Sequence, residues 1–193
     1  MAVQFRLQAV PTDEDLEDLN LRNAPLRFER TLAGEVIVTP PTGYVTGRQN
    51  NELARQLGNW NLEHGHGGVL DSSTGVSIGL NGAPDAGWIS GERDRTIPEE
   101  KRSKFLPVAP ELIFELMSPS DTASETAKRA DEWVTAGVRL AIVLDPERRV
   151  AIPHDANGTG EPVSEILSID KALLPGADAD LVLNLAAIFD AAN

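Results

Sequence analysis

Leu112-Ile113-Phe114-Glu115-Leu116-Met117, then Ser118-Pro119-Ser120-Asp121, and further on Leu140-Ala141-Ile142-Val143-Leu144, is the stretch whose reading decides the fold. The two apolar runs have strand length and no polar alternation, the pattern of strands covered on both faces. Between them, Ser118 to Asp121 are good helix-start residues, Ala127, Ala130 and Val134 form an apolar stripe, and Gly137 provides a stop. Strand, helix, strand with both strands buried predicts a crossover with at least partly parallel pairing. Strand alternation sets Ile113, Glu115 and Met117 on one face and Leu112, Phe114 and Leu116 on the other.

Outward from this unit the signals stay those of an α/β chain. On the N-terminal side, Thr12 precedes Asp13 and Glu14 as the cap of a short helix over 12–20. Val36 to Val38 reads as a strand before the turn-rich Thr39-Pro40-Pro41-Thr42-Gly43. Leu53, Leu57 and Trp60 fall at i, i+4 and i+7 of a helix over 47–64 that Gly65 and Gly67 close. Short strands are expected at Gly68–Leu70, Val76–Ile78 and Gly87–Ile89, and on the C-terminal side at Val150–Ile152, with a hairpin turn at Asn157-Gly158. Leu183 to Phe189 reads as a terminal helix or strand, and no repeat, low-complexity tract or linker divides the 193 residues. One α/β domain is expected.

Composition bounds the function. The chain has no cysteine, which excludes a disulfide scaffold, a cysteine nucleophile and thiolate metal sites. No apolar run approaches bilayer length, and Met1 to Asn20 lacks the apolar centre of a signal peptide, so the expected location is cytoplasmic, with no membrane partner. Seventeen basic against 30 acidic residues give a formal charge of −13, which does not invite a polyanion. The charge is uneven, however. Residues 154–193 hold seven acids and one base, whereas Arg93, Arg95, Lys101, Arg102 and Lys104 cluster within 93–104 as a local basic stretch or a solvated loop of mixed charge.

Glu115 is the residue whose type disagrees with its surroundings. An ionised carboxylate in a buried strand needs a cation or hydrogen bonds, so it is either paired with an arginine, at a wet strand end, or part of a site. Asp85, after Pro84 at the entry to Ala86-Gly87-Trp88-Ile89, would make with Glu115 an all-oxygen pocket for Mg²⁺ or Mn²⁺ if the two met on neighbouring strands. Pro-Asp is otherwise a common turn dipeptide. Glu52 and Asn50 sit on the 47–64 helix as a solvated residue and a cap or polar site residue. His64 and His66 read as a glycine-flanked loop, and Asp145 before Pro146 as a turn residue. No phosphate-binding glycine loop, serine elbow or zinc-protease motif is present.

The order Pro84-Asp85, Glu115 in an apolar strand, then a basic residue resembles the PD-(D/E)xK nuclease superfamily. More closely, the chain is similar to the Uma-two family of restriction-endonuclease-like proteins. The likeness runs through Gly34-Glu35-Val36-Ile37-Val38, Pro40-Pro41-Thr42-Gly43, Thr46-Gly47-Arg48-Gln49-Asn50, Asp71-Ser72-Ser73-Thr74-Gly75, Pro84-Asp85-Ala86 and Glu115 to Asp121. It continues in Ala136-Gly137-Val138-Arg139-Leu140, Leu144-Asp145-Pro146 and Leu174-Pro175-Gly176. The resemblance implies a restriction-endonuclease-like mixed sheet flanked by helices, one domain over 1–193, and a Mg²⁺- or Mn²⁺-dependent site acting on DNA. Asp85 and Glu115 match its metal-binding carboxylates, and Glu35 matches a recurrent glutamate that is a candidate third. The superfamily lysine two residues after the glutamate is Met117 here; the family takes it from the next helix, four residues before an aromatic matching Trp133, which is Arg129, with Lys128 one residue earlier. Lysine can shed its proton to serve a water and arginine cannot, so Lys128 is the expected catalytic cation and Arg129 the lesser candidate. Related nucleases often pair to cut both strands, so a homodimer is expected. The alternative is a weak or inactive relative retaining the fold as a binding or oligomerisation module, which the displaced lysine and the acidity favour. A third reading is a hydrolase of a smaller phosphate ester.

Overall fold

The chain begins with strand β1 (Val3–Phe5), helix α1 (Asp13–Arg22), β2 (Arg27–Arg30), β3 (Val36–Thr39) and α2 (Tyr44–Trp60). Then come β4 (Gly68–Asp71), β5 (Val76–Ser77), β6 (Asn81–Gly82), β7 (Ala86–Ile89), α3 (Gly91–Asp94), β8 (Leu112–Leu116) and α4 (Ala123–Thr135). The chain ends with β9 (Leu140–Asp145), β10 (Val150–Asp155), β11 (Gly158–Thr159), β12 (Ile166–Ile169), β13 (Leu181–Asn184) and α5 (Leu185–Asp190). This computed structural model describes residues 3–5 and 9–191.

The two apolar runs are the central strands of a six-stranded sheet ordered β11-β10-β9-β8-β7-β4. β8 and β9 run parallel, Leu112 opposite Leu140 through to Leu116 opposite Leu144, and the remaining pairs are antiparallel. Both faces of β8 are covered, so every residue from Leu112 to Leu116 is buried. On one face Leu53, Leu57 and Trp60 of α2, with Leu185 and Ile188 of α5, pack on Trp88, Phe114 and Ile142. On the other, Ala130 and Trp133 of α4 pack on Ile113, Ala141 and Val143. A second sheet, β1-β3-β2-β6-β5, and the β12-β13 pair complete the sheet structure. The mixed α/β class and its parallel crossover are as read from the sequence. Among the described residues no helix is long and apolar enough to cross a membrane.

Several details differ from the sequence reading. Helix α4 starts at Ala123, with the Thr122 side chain accepting from Glu125 N, while Ser118 to Asp121 form a separate turn closed by Ser118 N on Asp121 Oδ2 (2.7 Å). Its buried residues are Thr126, Ala130 and Trp133, a face rotated from the expected Ala127–Ala130–Val134 stripe. The rotation brings Arg129 to the inner side. Helix α2 begins at Tyr44 and runs on into a wider turn over Asn61–Gly65. Leu183 to Phe189 divides between strand and helix at Asn184, whose side chain caps α5 on Ala187 N.

Candidate active site

The β7–β8 register sets Ala86 opposite Phe114, so the next residues along, Asp85 and Glu115, meet at one level of two adjacent strands. Asp85 is partly buried and held by its own contacts: Oδ2 accepts from Leu116 N (2.8 Å), and Oδ1 from Asn50 Nδ2 of α2 (2.8 Å). Burial nevertheless pushes its carboxyl above the usual value, against those hydrogen bonds.

Glu115 is buried on the α4 side of the sheet, where its Oε1 accepts from Trp133 Nε1 (2.6 Å) and Arg129 Nε (2.9 Å). Its pKa is pushed up to about 7, by burial first; the Asp85 and Glu29 charges add to the rise, and Arg129 opposes it. This carboxyl holds a proton more tightly than an ordinary glutamate does. Such a group binds a proton or a cation readily.

Arg129 spans two carboxylates. Beyond Glu115, its Nη1 and Nη2 donate to Glu29 Oε2 (2.7 Å) and Oε1 (3.0 Å), a two-pronged grip. Glu29 is buried in β2 and takes a third bond from Ala83 N (2.9 Å), which fixes the connection leading to Asp85. Arg129 holds Glu29 well ionised despite its burial. The approach is close at Gly82, where a Cβ would lie 3.3 Å from Trp133 and 3.5 Å from Arg129.

The structure therefore assembles Asp85, Glu115 and Arg129 from the sequence-level candidates. Lys128 is placed elsewhere: its side chain is exposed, with Nζ 3.8 Å from Glu132 on the same helix. The sequence reading preferred Lys128; the rotation of α4 about Trp133 turns the adjacent residue, Arg129, inward instead. Glu35 lies in the turn before β3, where its N–H donates to Thr31 Oγ1, and the carboxylate that joins Glu115 on Arg129 is Glu29. Sequence reasoning missed Glu29 because Arg27-Phe28-Glu29-Arg30 looks like a solvated charged run; its alternation about Phe28 was the available signal.

Asn50 donates to Asp85, whereas Glu52 pairs with Arg55 (2.6 Å) and Gln56. His64 and His66 both contact Asp178, at 2.8 and 3.4 Å, and tie the C-terminal segment to the end of α2. Asp145 accepts from Arg148 N as a turn residue. In the 93–104 stretch, Arg93, Arg102 and Lys104 are committed to Glu111, Asp94 and Glu17.

The residues present fit a divalent cation. Asn50 Oδ1 is buried and has no partner among the described residues, beside two carboxylates of raised pKa. Asp85, Glu115 and Asn50 Oδ1 would offer it oxygen donors, the type Mg²⁺ takes; among the described residues no group of three or more His, Cys, Asp or Glu side chains is placed to hold a metal ion.

A mixed sheet between helices, with a carboxylate pair at the ends of adjacent strands, defines a restriction-endonuclease-like protein. The model of the Uma2 family, "Putative restriction endonuclease", matches residues 13–181, and the chain belongs to that family. Among solved structures it is similar to a "putative nuclease belonging to DUF820" from Anabaena variabilis ATCC 29413, at 16% identity and a TM-score of 0.73, over 95% of this chain and 99% of that one. That likeness is one of fold. A search of curated proteins found no match.

Proposed function

We propose that the protein is a metal-dependent endonuclease hydrolysing DNA phosphodiesters, with Asp85 and Glu115 as ligands of Mg²⁺ or Mn²⁺ and Asn50 supporting them. The observation that carries this reading is the meeting of the half-buried Asp85 with the buried Glu115, whose pKa is raised to about 7. Two carboxyls set together at this depth are unfavourable without a cation to share. The cation, when bound, supplies charge neutralisation at the phosphate and an activated water. Arg129 keeps its proton at any working pH, so it contributes fixed positive charge and holds Glu115 in place; it does not act as a base. Asn50 and the Leu116 N–H orient the Asp85 carboxylate.

The test is nicking of supercoiled plasmid in Mg²⁺ or Mn²⁺, wild type against Asp85→Ala. Metal-dependent nicking lost in the variant is expected, and equal nicking by both would assign the activity to a contaminant. A second reading, an inactive relative serving as a binding module, is favoured by one observation: Arg129 already bridges Glu29 and Glu115 as a built-in counter-cation. No metal uptake by calorimetry would support that alternative. Cutting both strands calls for two sites, so the proposed assembly is a homodimer, checked by a solution mass of two chains.

A further inference from the structure

Most cations near this site are already paired. Arg129 is spent on Glu29 and Glu115, Arg30 on Asp13 (2.7 Å), and Arg93, Arg102 and Lys104 on carboxylates of their own surroundings. Arg27 differs. It is half-buried in β2, and among the described residues its guanidinium makes no hydrogen bond and no ion pair. Strand alternation sets it on the face of β2 that carries Glu29, the face turned toward Arg129. Its charge acts on both Asp85 and Glu29. Both Glu29 oxygens already accept from Arg129, and one also from Ala83 N.

The space beside Arg27 is open. β2 and β6 pair at a single register, Arg30 opposite Asn81, and then part. Where they part, a cleft of about 190 Å³ opens, walled by Arg27, Glu29, Gly82 and Ala83, two residues from Asp85. A planar, permanently charged fork with no hydrogen-bonded partner among the described residues, in the wall of a cleft whose Ala83 lies two positions along the chain from Asp85, is suited to the non-bridging oxygens of a phosphate. We propose that Arg27 is the phosphate-holding residue of this site, receiving the DNA backbone next to Asp85 and Glu115. The inference rests on the nuclease reading. It explains how a chain of charge −13 would present a local anchor to a polyanion without a basic surface.

Affinity of the full-length protein for a short labelled duplex, measured by anisotropy in Ca²⁺ across a salt series, tests it with Arg27→Ala, Arg27→Met and Arg27→Lys. Methionine keeps the apolar stem, so a loss common to Ala and Met reports the charge. Expected are an affinity loss of about tenfold for Ala and Met, a salt slope shallower by about one phosphate contact, and partial recovery in Lys. Where nicking is measurable, KM rises more than kcat falls. The Mn²⁺-induced rise in melting temperature, which reports Asp85 and Glu115, persists in all three variants. A lowered melting temperature with unchanged affinity and slope would make Arg27 a structural counter-charge and overturn the proposal. Unchanged affinity alongside intact Mn²⁺-dependent nicking would overturn it and leave the nuclease reading standing. A wild type with neither an Mn²⁺ shift nor a DNA complex would remove both.

Discussion

Glu115 decides what pH does to this protein. Its folded pKa of about 7 lies above the ordinary 4.5, so the native state holds the proton more tightly than the unfolded chain. The corresponding stability is full at low pH and is lost as pH rises from the unfolded value through the folded one. Glu115→Gln cannot ionise and keeps acceptors for Trp133 and Arg129. In the absence of metal it should gain on wild type as pH climbs through that window, by an amount on the order of 2–3 kcal/mol. Denaturant titrations of both proteins at a series of pH values measure the difference. With Mn²⁺ the order reverses: wild type is stabilised with the logarithm of concentration, and Glu115→Gln responds little. Parallel metal responses in the two proteins would exclude the metal site. Arg129→Lys keeps the charge but gives up the two-pronged grip on Glu29, with an expected loss of about 1–3 kcal/mol by the same titration.

At the scale of elements, α4 is the part that most needs its sequence. Gly137 ends it at φ +109°, a conformation that side-chain-bearing residues rarely adopt, so Gly137→Ala should cost roughly 1–2 kcal/mol in thermal unfolding. Trp133→Phe keeps most of the packing and deletes the N–H that Glu115 accepts; a loss of about 1–3 kcal/mol is expected at neutral pH. The β8–α4–β9 unit was legible because buried strands announce themselves by unbroken apolar runs and the crossover rule leaves few ways to join them. Asp85 and Glu115 were legible as types out of place. The inner face of α4 was not: two alanines and a valine outweighed Trp133, whose N–H finds its acceptor on Glu115 of strand β8. β2 was missed for a related reason, since Glu29 is a charged residue facing an interior where Arg129, far along the chain, and Ala83 N receive it.

Across the whole molecule, the site joins two sheets. Glu29 comes from the second sheet, Asp85 and Glu115 from the six-stranded one, and Arg129 from the helix packed on it. The separations along the chain are unequal: Arg129 lies 14 residues from Glu115 and 100 from Glu29. Closing the short loop costs less chain entropy than closing the long one, so the β8–α4–β9 unit is placed to form first and β2 to dock later. The two halves of one ion-pair bridge would then belong to different stages of folding. Ala130→Gly, within the early unit, should slow refolding, whereas Glu29→Gln should leave refolding unchanged and hasten unfolding. Stopped-flow chevrons separate the two, and a slowed refolding limb for Glu29→Gln would place the docking of β2 at the rate-limiting step. If the late-docking order holds, brief local openings of the native protein would begin at Glu29, freeing Arg129 while the parallel strands beneath remain intact, and amide exchange would be faster in β2 than in β8.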